Sequence, residues 1–127
     1  MDPISDMFIR IKNAQAAGHD TVVIPYSQMK HEIARALERG GFVGHADRKG
    51  KRVKKFLEVT LLGGTDHPLF RGVRLISTPG RRMYMSYQDV RPAPRGGMII
   101  LTTPKGILSG KEARKEKVGG ELIAEVW

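Results

Sequence analysis

The chain has 127 residues and 40% hydrophobic residues, which is typical of one globular domain or two small ones and argues against disorder. It has no cysteine, which excludes disulfides and cysteine-ligated zinc, and no apolar run approaches the roughly 20 residues of a membrane helix. The 22 Lys and Arg exceed the 13 Asp and Glu, so the net charge of +9 favours a polyanionic partner, most commonly nucleic acid, although a membrane surface or plain solubility would need the same sign.

A first helix is predicted from Asp2 to about Gly18. Asp2 can cap it, and Pro3 suits the first helical position. The charged opening lacks the continuous apolar core of a signal peptide, so none is expected. The apolar residues recur at helical spacing, at Ile4, Met7, Phe8, Ile11 and Ala14.

A strand and a second helix follow. Residues 21–25 (TVVIP) are β-branched and end in proline, which predicts a strand. Ser27 can cap a helix that ends at Gly40-Gly41. Its predicted apolar face consists of Met29, Ile33, Ala36 and Leu37.

Two more strands are predicted, at residues 42–46 and 55–62. In the second, Leu57, Val59 and Leu61 alternate with polar residues, which indicates one buried face. The segment between them (DRKGKRVKK) is predicted to be a tight turn. This turn is either a solvated loop that protects a sheet edge or a loop that contacts phosphates. Its cations are Arg48, Lys49, Lys51, Arg52, Lys54 and Lys55.

The second half is predicted to be mainly β. Strands are expected at residues 72–77, 83–87, 98–102, 106–108 and 121–127. Ser109 and Glu112 have the capping-box spacing for a short helix through about Lys117, which Gly119-Gly120 would break. The predicted class is therefore α+β: an N-terminal α-β-α-β-β domain, residues 1–64, and a mainly β domain with one short helix, residues 65–127.

Segment 63–68 (GGTDHP) is the best linker candidate between these domains. Residues 1–66 carry 11 basic and 8 acidic residues, and residues 67–127 carry 11 and 5, so their net charges are +3 and +6. The C-terminal half is therefore the better candidate for an anion-binding surface.

No catalytic or cofactor motif is present. The four histidines are scattered without metal-ligand spacing, and there is no P-loop, G-x-S-x-G or G-x-G-x-x-G. We therefore predict a protein that is not an enzyme and uses no cofactor or metal. A small hydrolase with an incidental basic surface is the alternative, since carboxylates distant in sequence can still meet in space.

The segment Thr103-Pro104-Lys105-Gly106 matches a type I turn, with proline second and glycine last. One of the two hydroxyls of Thr102 and Thr103 is expected to brace the turn while the other faces outward. A hydroxyl donates and accepts, which suits the minor groove of A-form RNA. A plain β-turn with strand-preferring threonines is the alternative.

Two other segments have both a structural and an RNA-binding reading. Arg81 and Arg82 precede Tyr84, a combination that suits phosphates and an unstacked base, although Tyr84 also suits an ordinary strand. Gly119-Gly120 is either a helix stop or a point where the backbone approaches a ligand, with Glu121 accepting a hydrogen bond. The aromatic content of 6% does not indicate a platform for single-stranded RNA.

Three segments, in this order, resemble the bacterial-type family of small-subunit ribosomal protein number eight. They are DPISDMFIRIKNAQ at residues 2–15, STPGRRMY at 77–84 and TTPKGILSGKEARKEKVGGELIAEVW at 102–127. The resemblance implies an α/β N-terminal domain and a mainly β C-terminal domain. It also implies a structural constituent of the small subunit that binds an irregular helix in the central domain of the rRNA and helps assemble it.

The resemblance also implies partners and a location. The partners are the rRNA, neighbouring small-subunit proteins and the messenger of the protein's own operon, with no membrane and no homo-oligomer expected. The location is the small ribosomal subunit in the cytoplasm or its organelle equivalent. A free RNA-binding regulator of translation is the runner-up reading.

The rRNA-binding residues are assigned mainly by this resemblance. Residues 102–106 take the place of the family's Ser-Thr-Ser-Lys-Gly loop in a minor groove, residues 119–121 match its Gly-Gly-Glu, and Asn13 and Lys30 fall where a secondary phosphate contact is expected. The full set is Asn13, Lys30, Lys55, Arg82, Tyr84, Thr102, Thr103, Pro104, Lys105, Gly106, Gly119, Gly120 and Glu121.

The chain departs from that loop pattern at two positions. Thr102 replaces the usual serine and adds a methyl group, and Pro104 replaces a serine, which removes a hydroxyl and a backbone N–H. We expect rigidity to compensate, because a preformed turn loses less entropy on binding.

Overall fold

Antiparallel pairing forms two separate sheets in the computed structural model, which describes residues 2–127. The chain divides between the sheets into two units, an N-terminal unit that ends at Arg71 and a C-terminal unit, Gly72–Trp127. This confirms the α+β class. The domain ranges 1–64 and 65–127 stay a prediction.

The N-terminal unit has the predicted α-β-α-β-β order. Its elements are α1 (Pro3–Ala16), β1 (Thr21–Pro25), α2 (Gln28–Arg39), β2 (Ala46–Lys49) and β3 (Phe56–Thr60). The sheet order is β1-β3-β2, with β3 in the middle.

The predicted caps of both helices are confirmed. The Asp2 carboxylate accepts from the backbone N–H of Ile4 at 3.3 Å, and the Ser27 hydroxyl accepts from that of Lys30 at 3.1 Å. Each bond satisfies a donor that has no partner inside the helix. The predicted helix starts are therefore correct.

The predicted apolar positions of the helices are buried except at Ile4, which is half-buried, and Met29. Met7, Phe8 and Ile11 of α1 are fully buried, and so are Leu57 and Val59 of β3. On α2, Ile33, Ala36 and Leu37 are buried. Met29 shares the side of α2 with Ile33 by its spacing, but it lies in the first turn and is 38% exposed.

Strand β2 starts later than predicted and includes part of the predicted turn. It runs from Ala46 to Lys49 instead of residues 42–46, and Asp47 lies opposite Glu58. The charges indicated a turn, but β2 is an edge strand, and an edge strand tolerates charged residues. The remaining turn, residues 50–55, is called the basic loop below.

The predicted linker is attached to α1. The Gln15 side chain is buried, and its amide Nε2 donates to the carbonyls of Leu62 at 2.9 Å and Gly64 at 3.3 Å. Phe70 is also buried. These bonds attach the start of the segment to α1, and the N-terminal unit continues to Arg71.

The C-terminal unit is mainly β, as predicted. Its elements are β4 (Val73–Leu75), β5 (Tyr84–Met85), a 3₁₀ turn (Tyr87–Asp89), β6 (Met98–Thr103), β7 (Gly106–Ser109), α3 (Gly110–Glu116) and β8 (Gly120–Val126). The predicted strand at 83–87 is shorter than expected because Ser86 caps the 3₁₀ turn through Gln88. None of the helices between residues 2 and 127 has the length and hydropathy that a membrane crossing requires.

Helix α3 begins as predicted, but a different residue from the predicted glycines ends it. The Ser109–Glu112 capping box is present, with bonds of 3.1 and 2.9 Å. The helix ends at Lys117, whose φ of 56° is left-handed. Gly119-Gly120 therefore does not break the helix, which corrects that prediction.

Strand β8 is the central strand of the second sheet. It pairs with β6 on one side and with both β4 and β5 on the other. A cluster of buried apolar side chains lies on one face of this sheet: Val90, Leu101, Ala113 and Leu122.

Glu125 of β8 is a carboxylate buried within this sheet. Its Oε1 accepts from Arg74 Nε at 3.3 Å and Arg95 Nη1 at 3.0 Å, and its Oε2 accepts from the Arg95 backbone N–H at 3.1 Å. The Arg95 guanidinium also lies 4.5 Å from the centroid of the Trp127 ring. Burial raises the pKa of Glu125, but these hydrogen bonds and the two positive charges outweigh it and lower the pKa below its ordinary value of 4.5.

We expect Glu125→Gln to reduce the free energy of unfolding at pH 7 by about 2 kcal/mol, because it removes charge-assisted hydrogen bonds. The folded-state pKa lies below the unfolded-state value, so this stabilisation is complete above 4.5 and is lost as the pH falls through the lower folded value. Urea unfolding at a series of pH values measures the difference, which should shrink in acid.

The control is Glu116→Gln, because Glu116 forms an exposed ion pair with Lys105. Such pairs contribute about 0–1 kcal/mol. A Glu125→Gln difference that grows toward low pH would contradict the lowered pKa.

Candidate nucleic-acid interface

The turn between β6 and β7 has Pro104 and Lys105 at its centre, and its φ signs exclude types I′, II′ and II, while type I stays a prediction. Proline cannot adopt the positive φ that types I′ and II′ require, and Lys105 lacks the positive φ of type II, since Lys117 alone among non-glycine residues 2–127 has one. Gly106 follows with a φ of 104°. A φ in this range strongly favours glycine, so Gly106 is needed for the turn itself.

Thr103 is the hydroxyl that braces this turn. Its Oγ1 donates to the carbonyl of Gly106 at 2.8 Å and accepts from the backbone N–H of Lys105 at 3.1 Å. The hydroxyl of Thr102 is half-buried and forms no hydrogen bond with another described residue. The sequence predicted one bracing and one outward hydroxyl, and the structure assigns bracing to Thr103.

Strand pairing brings three predicted site segments into one row. Glu121 of β8 lies opposite Tyr84 of β5 and opposite Thr102 of β6. Directly opposed residues in antiparallel strands share a face, so these three side chains lie side by side. Tyr84 lies in strand β5, as the ordinary-strand alternative has it, and its ring is 70% exposed.

Glu121 has a cationic neighbour that sequence reasoning did not identify. Arg82 Nη1 lies 3.3 Å from Glu121 Oε2, and Glu121 is largely covered. A lone acid beside RNA would be repelled, but this ion pair offsets the charge while one carboxylate oxygen remains available. The pairing depends on the β5–β8 register, which residue spacing alone does not indicate.

Gly119 and Gly120 are required by the protein's own backbone. A Cβ on Gly120 would lie 1.9 Å from the carbonyl oxygen of Thr102, and one on Gly119 would lie 2.3 Å from that of Met85. Their sequence did indicate close approach, but the approaching groups are neighbouring strands. Any RNA contact by these glycines would be additional to this role.

Lys105 at the tip of the turn already has an anionic partner. Its Nζ lies 3.1 Å from Glu116 Oε2 at the end of α3, and both side chains are about half exposed. An exposed pair of this kind is weak, so a phosphate can replace Glu116. Glu116 is a further residue that the sequence did not single out. The other cations in and next to α3 are also exposed: Lys111, Arg114, Lys115 and Lys117.

The predicted site residues of the N-terminal unit lie on separate elements. Asn13 is exposed on α1, and Lys55 is exposed in the basic loop. Lys30 on α2 is only 8% exposed, so most of its side chain is covered. A phosphate contact at these three residues stays a prediction.

The six cations near β2 do not form one repelling cluster. Lys49 Nζ pairs with Glu58 at 2.9 Å, and this ion pair raises the pKa of Lys49. The Arg48 guanidinium lies 5.3 Å from the centroid of the Tyr26 ring. The exposed cations of the basic loop are therefore Lys51, Arg52, Lys54 and Lys55. In the described part of the chain, no three His, Asp or Glu side chains gather as metal ligands.

Comparisons with known proteins match almost the whole chain to one family. The family model described as ribosomal protein S8 matches residues 2–127. Small ribosomal subunit protein uS8 of Mycoplasma mobile is 42% identical over 127 residues, which cover 99% of this chain and 96% of the relative. The uS8 proteins of Dictyoglomus thermophilum and Chloroflexus aurantiacus are 42% and 45% identical, over 99% of this chain and 97% of each relative.

We expect Gly120→Ala to destabilise the protein by roughly 1–3 kcal/mol, because the new methyl group would overlap the Thr102 carbonyl oxygen and separate two strands. Gly80→Ala is the matched control, since Gly80 has open space around its Cβ position and no positive φ. Chemical denaturation measures both variants. Equal stability of the two would contradict the packing role of Gly120.

Proposed function

The chain belongs to the ribosomal protein S8 family, and we propose that its C-terminal unit binds an irregular helix in the central domain of the small-subunit rRNA and helps that RNA assemble. Family membership makes it a structural ribosomal component and not an enzyme. Its proposed partners are rRNA and neighbouring small-subunit proteins, in the cytoplasm. A messenger of its own operon that copies the RNA shape would use the same site.

The observation that supports this proposal is the row Tyr84–Glu121–Thr102 beside the braced turn. Three segments distant in the sequence converge there through the pairing of β5, β8 and β6. An exposed ring, a hydroxyl and a carboxylate offer different contacts within one strip of sheet. Such a strip suits RNA, whose minor groove displays 2′-hydroxyls and base edges.

Each side chain of the row has a distinct proposed task. The Thr102 hydroxyl donates to and accepts from groove atoms, since the described residues leave it without a partner. Glu121 accepts from a sugar hydroxyl or base amine, and Arg82 limits its repulsion from phosphates. Tyr84 offers an exposed ring for an unpaired base.

The turn supports this row by holding one shape before binding. Thr103 fixes both sides of it, and Pro104 restricts its backbone. Less conformational entropy is then lost when RNA binds. Lys105 at the tip can exchange Glu116 for a phosphate and adds affinity without sequence preference.

A footprint of the full chain on small-subunit rRNA tests the location of the site. Protection is expected at an irregular helix of the central domain. The protein should also co-sediment with small subunits, which separates a ribosomal component from a free regulator. Protection confined to other regions would overturn the proposal.

We expect Thr102→Val to weaken binding of a central-domain rRNA fragment about fivefold, the equivalent of about 1 kcal/mol for one hydrogen bond. Thr102→Ser keeps the hydroxyl and should retain affinity within twofold. Fluorescence anisotropy at fixed salt measures both. Equal affinities of the valine and serine variants would contradict the role of this hydroxyl.

We expect affinity to fall steeply with salt, by about one log unit per decade of salt for each phosphate contact. Lys105→Ala should reduce that slope by about one. Glu116→Gln removes the carboxylate of the same ion pair and keeps the Lys105 cation, so the salt dependence of this variant's affinity should not become weaker. An unchanged slope in Lys105→Ala would show that Lys105 contacts no phosphate.

A further inference from the structure

The N-terminal unit has a concave site whose lining contains none of the predicted rRNA-binding residues. It encloses about 400 Å³, within the roughly 300–1,000 Å³ of small-ligand pockets. Three elements meet there: the end of β1, the first turns of α2, and β2. The lining residues are Tyr26, Gln28, His31, Glu32, Arg35 and Arg48.

The backbone explains why these side chains meet. Tyr26 follows the last residue of β1, and its N–H donates to the carbonyl of Lys55 at 3.3 Å, so the pocket adjoins the basic loop. Residues 28, 31, 32 and 35 repeat at helical spacing and share one side of α2. Arg48 extends from β2, which contacts α2.

Planar groups are concentrated in this pocket. The Arg48 guanidinium lies 5.3 Å from the centroid of the Tyr26 ring, and the Tyr26 and His31 rings meet edge to face at 6.0 Å. His31 Nε2 lies 3.3 Å from the carbonyl oxygen of Ala46, which orients its ring. RNA-binding proteins stack unpaired bases on aromatic rings and on arginine guanidinium planes.

Hydrogen-bonding groups surround these planes. Gln28 donates and accepts, and Glu32 accepts, so together they can bind the edge of a base that carries an amino group. Arg35 and Arg48 outnumber the single carboxylate and favour an anionic ligand. The adjoining basic loop can hold phosphates of the same strand through Lys51, Arg52 and Lys54, which are exposed.

We propose that this pocket binds one unpaired RNA base while the basic loop holds the neighbouring phosphates. The inference rests on the proposed function only in taking RNA as the partner, because it uses a different unit and different residues. The aromatic content of the chain is low, so we expect the pocket to stack one base and not a row of several bases. An acidic peptide is a weaker fit, because its carboxylates have no planar base to stack on the Tyr26 ring or the Arg48 guanidinium.

The test measures binding of the full chain to fluorescein-labelled decamers of adenosine, cytidine and uridine by anisotropy at fixed salt. Tyr26→Ala and Arg48→Lys should each weaken binding of at least one decamer by about 5- to 160-fold, the effect of losing one stacked base. Tyr26→Phe keeps the ring and should stay within twofold. Arg48→Lys keeps the positive charge, so any affinity that this variant loses is due to stacking and not to attraction to phosphate.

An abasic strand of the same length separates the base from the phosphates. It should bind more weakly than the best decamer, and Tyr26→Ala should not change its affinity. Lys51→Ala should weaken the abasic and base-carrying strands alike. Thermal unfolding checks that the Tyr26→Ala variant is folded. If that variant does not fold, Arg48→Lys still decides the test, because Arg48 is exposed and its substitution should not unfold the protein.

Three results would overturn the proposal. The first is that the decamer affinities of Arg48→Lys and of folded Tyr26→Ala stay within twofold of the unsubstituted chain. The second is equal binding of abasic and base-carrying strands, and the third is tighter binding of a glutamate decapeptide than of any RNA. The two proposals also fail separately. Normal rRNA-fragment affinity in Thr102→Val with impaired decamer binding in Arg48→Lys would contradict the C-terminal site alone, and the reverse pattern would contradict the pocket alone.

Discussion

The C-terminal unit depends on β8 lying at backbone distance from two neighbours at once. Gly119 and Gly120 allow this, because a Cβ on either would overlap a carbonyl oxygen of an adjacent strand. The resulting register places Glu121 between Tyr84 and Thr102. It also places Leu122 in the apolar cluster, and Glu125, which is buried beside two arginines, follows a shift of the β6–β8 register between Ile100 and Leu101. The core and the proposed RNA surface therefore follow from the same pairing.

Local signals were sufficient to predict most elements. Caps such as Ser109 with Glu112 depend on residues three apart, and the alternation at Leu57 and Val59 depends on a period of two, so both are visible in sequence. The prediction of β2 failed because the same charged residues are typical of two different structures. Charge at residues 47–49 indicated a turn, yet an exposed edge strand tolerates the same residues.

The candidate site was predictable in its segments and not in its contacts. The sequence indicated that one of two threonines braces the turn, but only the geometry identifies Thr103. Paired glycines indicated close approach, and the structure identifies the approaching groups as neighbouring strands. The partners Arg82–Glu121 and Lys105–Glu116 join different elements, and spacing contains no information about such tertiary pairs.

The braced turn has a consequence for the RNA side of the proposed complex. At the proposed site, a loop with so little freedom would adapt poorly to a misfolded helix and would bind RNA molecules that already have the matching bend. The apparent dissociation constant then rises in inverse proportion to the fraction of RNA in that conformer. Under the proposed function, correctly folded rRNA would therefore retain the protein longer than misfolded rRNA.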